Sequence, residues 1–175
     1  MGFEDYQVLL YSRATETDAA NFDKMNRIGS ALICEWKSII WQTEVEHSEK
    51  KVHDTIHLTY ENLAGLIEIE LGASEQRVYV SLRFACCNPV SIVEPFSELV
   101  KWLMVRFDLY CSLARDTAPG QKDVPARIHD AQTVRDILLP GIDLHRRNWQ
   151  ADVGTSEERV LTPAAAIRYF CKNLY

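Results

Sequence analysis

Three stretches between Val52 and Cys87 alternate apolar and polar residues with a period of two. Their apolar positions are Val52, Ile56, Leu58 and Tyr60, then Ile67, Ile69 and Leu71, and then Val78, Val80, Leu82 and Phe84. This period is typical of antiparallel strands that bury one face and leave the other face polar. The pattern therefore predicts a three-stranded antiparallel meander.

Residues 39–45 extend this pattern in a less defined way. Ile39, Trp41, Thr43 and Val45 alternate as a strand would, but Ile39 and Ile40 also continue a helical stripe. We favour a strand, because the charged run at 47–51 can form the turn into the meander. A further short strand is possible at residues 6–11.

Helical patterns flank the meander. Thr17 or Asp18 can cap an N-terminal helix whose apolar positions continue to Trp36. Residues 96–114 are apolar on nearly every side, which predicts a long, largely buried helix. Shorter helices are predicted from Asp130 to Pro140–Gly141 and after Thr162, where a capping hydroxyl precedes proline.

The order of these elements predicts an α+β, two-layer fold. A meander of three to four antiparallel strands is packed on one face by the long central helix and by the N- and C-terminal helices. A chain of 175 residues is long enough to bury a sizeable core without disulfides. We expect residues 1–175 to form a single domain.

Composition narrows the classes of partner and the compartment. The formal net charge is −6 with no basic stripe, which argues against binding to nucleic acid or to an anionic membrane surface. No stretch approaches the roughly 20 apolar residues of a membrane span. The first five residues contain two acids and no basic residue, and the five cysteines are an odd number. We therefore expect a cytoplasmic protein with reduced thiols.

The polar face of the meander carries the candidate site. A turn at residues 62–65 places His57 opposite Glu70 and Thr59 opposite Glu68. The residue types allow ordinary cross-strand pairs on a solvated face, each contributing about 0.2–1 kcal/mol. They equally allow a recognition surface, because tyrosine and arginine among charges are frequent contact residues.

A second turn at residues 72–76 would place Glu70 opposite Arg77 and Glu68 opposite Tyr79. The expected result is a row of His57, Glu70 and Arg77 across three strands. The partner-binding residues predicted on this face are His57, Glu68, Glu70, Tyr79 and Arg83.

Catalytic and metal-binding motifs are not evident. His53 and His57 have a spacing that could bind zinc on a helix, but four strand residues span about 13 Å, too far for one ion. No recognisable nucleophile accompanies His57, and no histidine is placed beside Cys87. We predict no cofactor, no metal and no catalytic residue, with Cys86 in the core and Cys87 on the polar side.

We predict a non-catalytic, cytoplasmic protein-binding module of the adaptor, chaperone or immunity type that uses the polar sheet face. The alternative is a small-molecule-binding protein or minor enzyme with a pocket around His57, Glu70 and Tyr79, in which the C-terminal helices fold over part of the sheet and Trp149 also lines the pocket. The second apolar stripe of the 96–114 helix also allows a homodimer, unless the C-terminal helices cover it.

Overall fold

The computed structural model describes residues 5–13, 18–41, 55–74, 76–112 and 131–171. A short 3-10 turn at Val90–Ile92 precedes the second helix. In chain order the elements are β1 (Asp5–Ser12), α1 (Asp18–Glu35), β2 (Ile39–Trp41), β3 (Thr55–Asn62), β4 (Gly65–Ala73), β5 (Val78–Ala85), α2 (Val93–Phe107), β6 (Leu109–Ser112), α3 (Ala131–Val153) and α4 (Pro163–Phe170).

The described strands form one six-stranded antiparallel sheet in the order β2-β3-β4-β5-β1-β6. The α+β class and the antiparallel meander β3-β4-β5 are therefore confirmed. The predicted number of strands is wrong, because β1 also pairs with β5 and β6 then pairs with β1. The fourth strand before the meander is confirmed at residues 39–41, and residues 42–45 lie outside the described part of the chain.

One sheet face forms the main core. Phe96 of α2 contacts Phe84 of β5 at a ring-centroid distance of 4.9 Å, and Met25 and Ile28 of α1 are fully buried in the same cluster. The other face, here called the open face, carries the alternate side chains. The open face comprises Gln7, Leu9, Tyr11, Thr55, His57, Thr59, Glu68, Glu70, Gly72, Tyr79, Ser81, Arg83 and Tyr110.

The long helix is shorter than the sequence predicts. α2 ends at Phe107 because Asp108 adopts a left-handed conformation with φ of 50°, which stops helical propagation. Residues 109–112 then form β6 and pair with β1, so Leu109 and Cys111 are buried as strand residues. The prediction of helix over 109–112 is wrong, because apolar residues at these positions suit a buried strand as well as a helix.

The predicted helix end at Pro140–Gly141 is also wrong. α3 continues through Pro140 to Val153. Gly141 faces Tyr6, and a Cβ at residue 141 would lie 3.1 Å from the tyrosine ring. The glycine therefore allows close helix–sheet packing at this point and does not terminate the helix.

Two other helix predictions hold. α1 covers Asp18–Glu35 with Leu32 fully buried, although Ile33 is 40% exposed. At α4 the Thr162 hydroxyl accepts a hydrogen bond from the Ala165 amide at 3.2 Å, and Pro163 begins the helix. This is the predicted cap with proline at the first helical position.

Candidate functional site

The β3–β4 hairpin has the predicted register. His57 lies opposite Glu70, and Thr59 lies opposite Glu68. The turn occupies residues 63 and 64, and Asn62 accepts a hydrogen bond from the Ala64 amide at 2.8 Å through its side chain. Asparagine commonly stabilises turns in this way.

The β4–β5 register differs from the prediction by four residues. Glu70 lies opposite Ser81 and Glu68 opposite Arg83, because β4 continues through Gly72 and Ala73 before the chain turns. The amide of Ser74 donates to the carbonyl of Arg77 at 2.9 Å and closes this turn. The predicted row through Arg77 is therefore wrong. An even shift preserves which face each residue occupies, so the predicted residues still share the open face.

Polar side chains of the open face are hydrogen-bonded to one another. Arg83 donates to Glu68 with a nitrogen–oxygen distance of 2.6 Å. The Tyr79 hydroxyl donates to Glu70 at 3.2 Å, and Gln7 donates to Ser81 at 2.7 Å. These contacts link three neighbouring strands and restrict the side chains before any partner arrives.

Tyr79 is fixed by its surroundings. Its ring lies over Gly72 of β4, where a Cβ would be 2.3 Å from the ring. Burial raises the pKa of the Tyr79 hydroxyl, and the negative charge of Glu70 adds to this shift. The hydroxyl is therefore neutral at physiological pH and able to donate to Glu70. Gly72 provides the space that the aromatic ring occupies.

His57 lies beside Thr55 on the same strand, with 3.2 Å between its Nε2 and the Thr55 hydroxyl. His53, the other histidine of the zinc hypothesis, lies outside the described residues. No cluster of three or more metal-ligating side chains occurs in the described part of the chain.

A second core lies at the end of β5. It consists of Ala85, Cys86, Cys87, Trp149, Ala166 and Cys171. Trp149 packs against Phe170 with ring centroids 5.6 Å apart. Ala85 is four strand residues from Ser81, or about 13 Å. The prediction that Trp149 lines a pocket together with His57 and Tyr79 is therefore wrong, because its ring packs in the second core.

Cys86 is buried as predicted, but Cys87 does not lie on the polar side of a strand. β5 ends at Ala85, and both cysteines follow in a turn. Burial raises the pKa of the Cys87 thiol to about 11, partly offset by nearby Arg146. This thiol is protonated at neutral pH, which makes it a poor nucleophile.

The second core is bordered by a group of polar residues, here called the Asn88 junction: the buried Asn88 and Arg146, and Glu158, whose side chain is half-exposed. The Asn88 side chain accepts from the Leu66 amide at 2.9 Å and donates to the carbonyls of Ala85 and Leu161 at 3.1 and 2.9 Å. Arg146 donates to the Asn88 carbonyl and contacts Glu158 at 3.2 Å. The junction therefore ties β4, β5, α3 and the segment before α4 together.

Arg146 and Trp149, which lie close together in the sequence, both have a structural role. The Arg146 side chain is 9% exposed and Trp149 is 1% exposed. Both contribute to the packing of α3 against the end of the sheet.

Sequence reasoning missed the β1 and β6 contributions to the open face. Tyr11 lies opposite both Tyr79 of β5 and Tyr110 of β6, and Gln7 lies opposite Arg83. Alternation within residues 6–11 places Gln7, Leu9 and Tyr11 on one face. The sequence therefore contains the information needed to predict the contribution of β1. Tyr110 lies within residues 96–114, which the sequence predicts as helix, so its position on the sheet could not be predicted.

The second apolar stripe of residues 96–114, which the sequence offers as a homodimer surface, does not lie on one helix in the structure. Trp102 packs against Trp36 at a ring-centroid distance of 6.0 Å, Leu109 is buried in β6, and Val105 is 62% exposed. Residue 113 lies outside the described residues. The homodimer itself stays a prediction.

Comparison with known proteins gives no relative: no family model, curated protein or solved structure matches this chain. None of the helices in the described ranges has the length and apolar character needed to span a membrane.

Proposed function

We propose that this chain is a cytoplasmic, non-catalytic protein-binding module, and that the open face is its contact surface. The observation that carries the proposal is that polar side chains on this face are restrained by hydrogen bonds and an ion pair. Glu68 is fixed by Arg83 and Glu70 by Tyr79, while His57 lies opposite Glu70. Side chains restrained before association lose less conformational entropy when a partner binds.

The distribution of the helices supports this choice of surface. Phe84 and Tyr6 on the core face pack against α2, and Tyr6 also packs against α3, whereas Tyr79 and Arg83 point away from that layer. Half-buried tyrosine and exposed arginine are residue types that supply binding energy in protein interfaces.

A charge reversal compares the two sides of the molecule. The variant Glu68→Lys/Glu70→Lys changes the open face, and the control Asp23→Lys/Glu98→Lys makes the same charge change at exposed positions on α1 and α2. Each tagged protein is used to capture partners from a lysate of its native cells, with quantitative mass spectrometry. We expect a protein retained by the wild type and by the control but lost with the open-face variant.

Equal retention by all three proteins would contradict the proposed surface. Circular dichroism of each variant checks that the loss of a partner does not result from unfolding.

A further inference from the structure

One row of the open face is aromatic across three adjacent strands. Tyr110 of β6, Tyr11 of β1 and Tyr79 of β5 are direct register partners, and we refer to them as the tyrosine row. Opposed residues on antiparallel strands have Cα atoms about 4.5–5.5 Å apart, so the three side chains emerge side by side. All three are half-buried.

The tyrosine row reaches β4 through the Tyr79 ring. Gly72 lies opposite Tyr79 and leaves its ring resting on the strand. Leu9 and Ser81 border the row on its inner side. An amphipathic aromatic surface of this kind offers large contact area while keeping hydroxyl groups for hydrogen bonds.

Two arginines border the tyrosine row on its outer side. The Arg13 guanidinium lies 5.3 Å from the Tyr110 ring centroid, and that of Arg77 lies 5.9 Å from the Tyr11 ring centroid. Arg13 is also paired with Asp108 at 3.5 Å. No carboxylate of the described residues lies within ion-pair distance of Arg77, which is exposed.

Arg77 therefore presents a planar set of donors next to an aromatic surface. An arginine in this position binds a carboxylate through two parallel hydrogen bonds. Elsewhere on the open face the charges are already satisfied, since Arg83 is held by Glu68. Arg13 and Arg77 thus bring positive charge to this end of the face although the whole chain has a net charge of −6, and the nearby Glu70 carboxylate accepts from the Tyr79 hydroxyl.

We propose that the tyrosine row and Arg77 bind an acidic linear segment of the partner protein, with an Asp or Glu carboxylate on Arg77 and an adjacent apolar side chain on Tyr11 and Tyr79. This inference rests on the proposed function and specifies the chemistry of the partner. A single arginine without an ion pair among the described residues suits one carboxylate. A nucleic-acid strand would require a series of cations to neutralise its phosphates.

Selection from a random peptide display library on the immobilised full chain tests the proposal. The selected peptides are resynthesised, and their affinities are measured by fluorescence anisotropy. We expect enrichment of peptides with Asp or Glu next to an apolar residue. We also expect binding about tenfold weaker to Arg77→Glu, since central arginine contacts often dominate an interface. The control Arg27→Glu, an equal charge change at an exposed position on α1, should bind as the wild type does.

A conservative variant separates the ring from the charge. Gly72→Ala leaves every charge in place but displaces the Tyr79 ring, and we expect weaker binding of the same peptides. Circular dichroism confirms that each variant is folded.

Four results would overturn the acidic-segment proposal. Peptides without acidic enrichment that still lose binding to Glu68→Lys/Glu70→Lys would leave the open face as the contact surface and remove the acidic segment. Peptides insensitive to every open-face variant, or no selected peptide, would count against the proposed function as well. Tighter binding of labelled single-stranded oligodeoxythymidine than of the peptides would favour a nucleic-acid ligand.

Discussion

The open face and the Asn88 junction both contain an arginine–glutamate pair, yet the two pairs differ in environment. Arg83 and Glu68 have side chains that are 47% and 21% exposed, whereas Arg146 is 9% exposed and pairs with Glu158 at 49%. The first pair is solvated and contributes little to folding. The second lies where chain segments meet, so losing it leaves buried groups without partners. Polar residues thus hold the fold together in one region and are available for binding in the other.

The largest effect on stability should come from Asn88→Ala. This change leaves the buried Leu66 amide and the Leu161 carbonyl without their side-chain partner, while the Ala85 carbonyl keeps only its hydrogen bond from the amide of residue 88. We expect the free energy of unfolding to fall by about 3 kcal/mol. Urea denaturation measures it, and Asn148→Ala on the exposed side of α3 is the matched control, with a change within about 0.5 kcal/mol. Similar losses for the two variants would contradict the assigned role of Asn88.

The same substitution made in both regions tests their difference directly. We expect Arg146→Met to lower the free energy of unfolding by about 2 kcal/mol, because the Asn88 carbonyl loses a charged donor. Arg83→Met should cost less than about 1 kcal/mol, since its ion pair is exposed to solvent. Urea denaturation of both proteins gives the comparison. A larger loss for Arg83→Met would reverse the roles assigned to the two regions.

Alkaline pH should destabilise the folded protein through its buried cysteines. Burial raises the pKa of the Cys87 thiol to about 11 and that of the Cys111 thiol to about 12. An unfolded thiol loses its proton near pH 8.5, so above that pH the folded state binds more protons and its stability falls as pH rises. Denaturation at pH 8 and pH 10 should show this fall, and Cys87→Ala/Cys111→Ala should reduce it. An unchanged slope in the double variant would assign the effect to other groups.

Gly72→Ala should also have only a small effect on stability. Alanine is favoured over glycine in a strand, which offsets part of the cost of moving the Tyr79 ring, and that ring can shift toward solvent. We expect the free energy of unfolding to change by less than about 1 kcal/mol, measured by urea denaturation. A much larger loss would mean that Tyr79 supports the fold and is not a free contact surface.

The sequence predicts the meander and its two faces well. An error in register by an even number of residues still assigns each side chain to the correct face. The pairing of His57 with Glu70 is predicted correctly because only a few residues near position 62 can form the short turn between β3 and β4. The second turn fails because Gly72 suggests a turn, while in the fold it is a strand residue that accommodates the Tyr79 ring. That use of glycine depends on a contact between strands and has no local signal.

The other errors concern apolar segments whose environment is set by distant residues. Leu109 and Cys111 are buried by pairing with β1, a strand about 100 residues earlier in the chain. The tyrosine row could not be predicted for the same reason, since Tyr11, Tyr79 and Tyr110 become neighbours only when β1 inserts between β5 and β6. Composition does not indicate that order of strands.

The most direct test of the open face as the contact surface is site-specific photo-crosslinking in the native cells. The variant Arg83→p-benzoylphenylalanine places the crosslinker on the open face, and Glu98→p-benzoylphenylalanine places it on the exposed side of α2. We predict a covalent adduct with another protein from position 83 and none from position 98. Adducts from position 98 alone, or from neither position, would contradict the assignment of the open face as the binding surface.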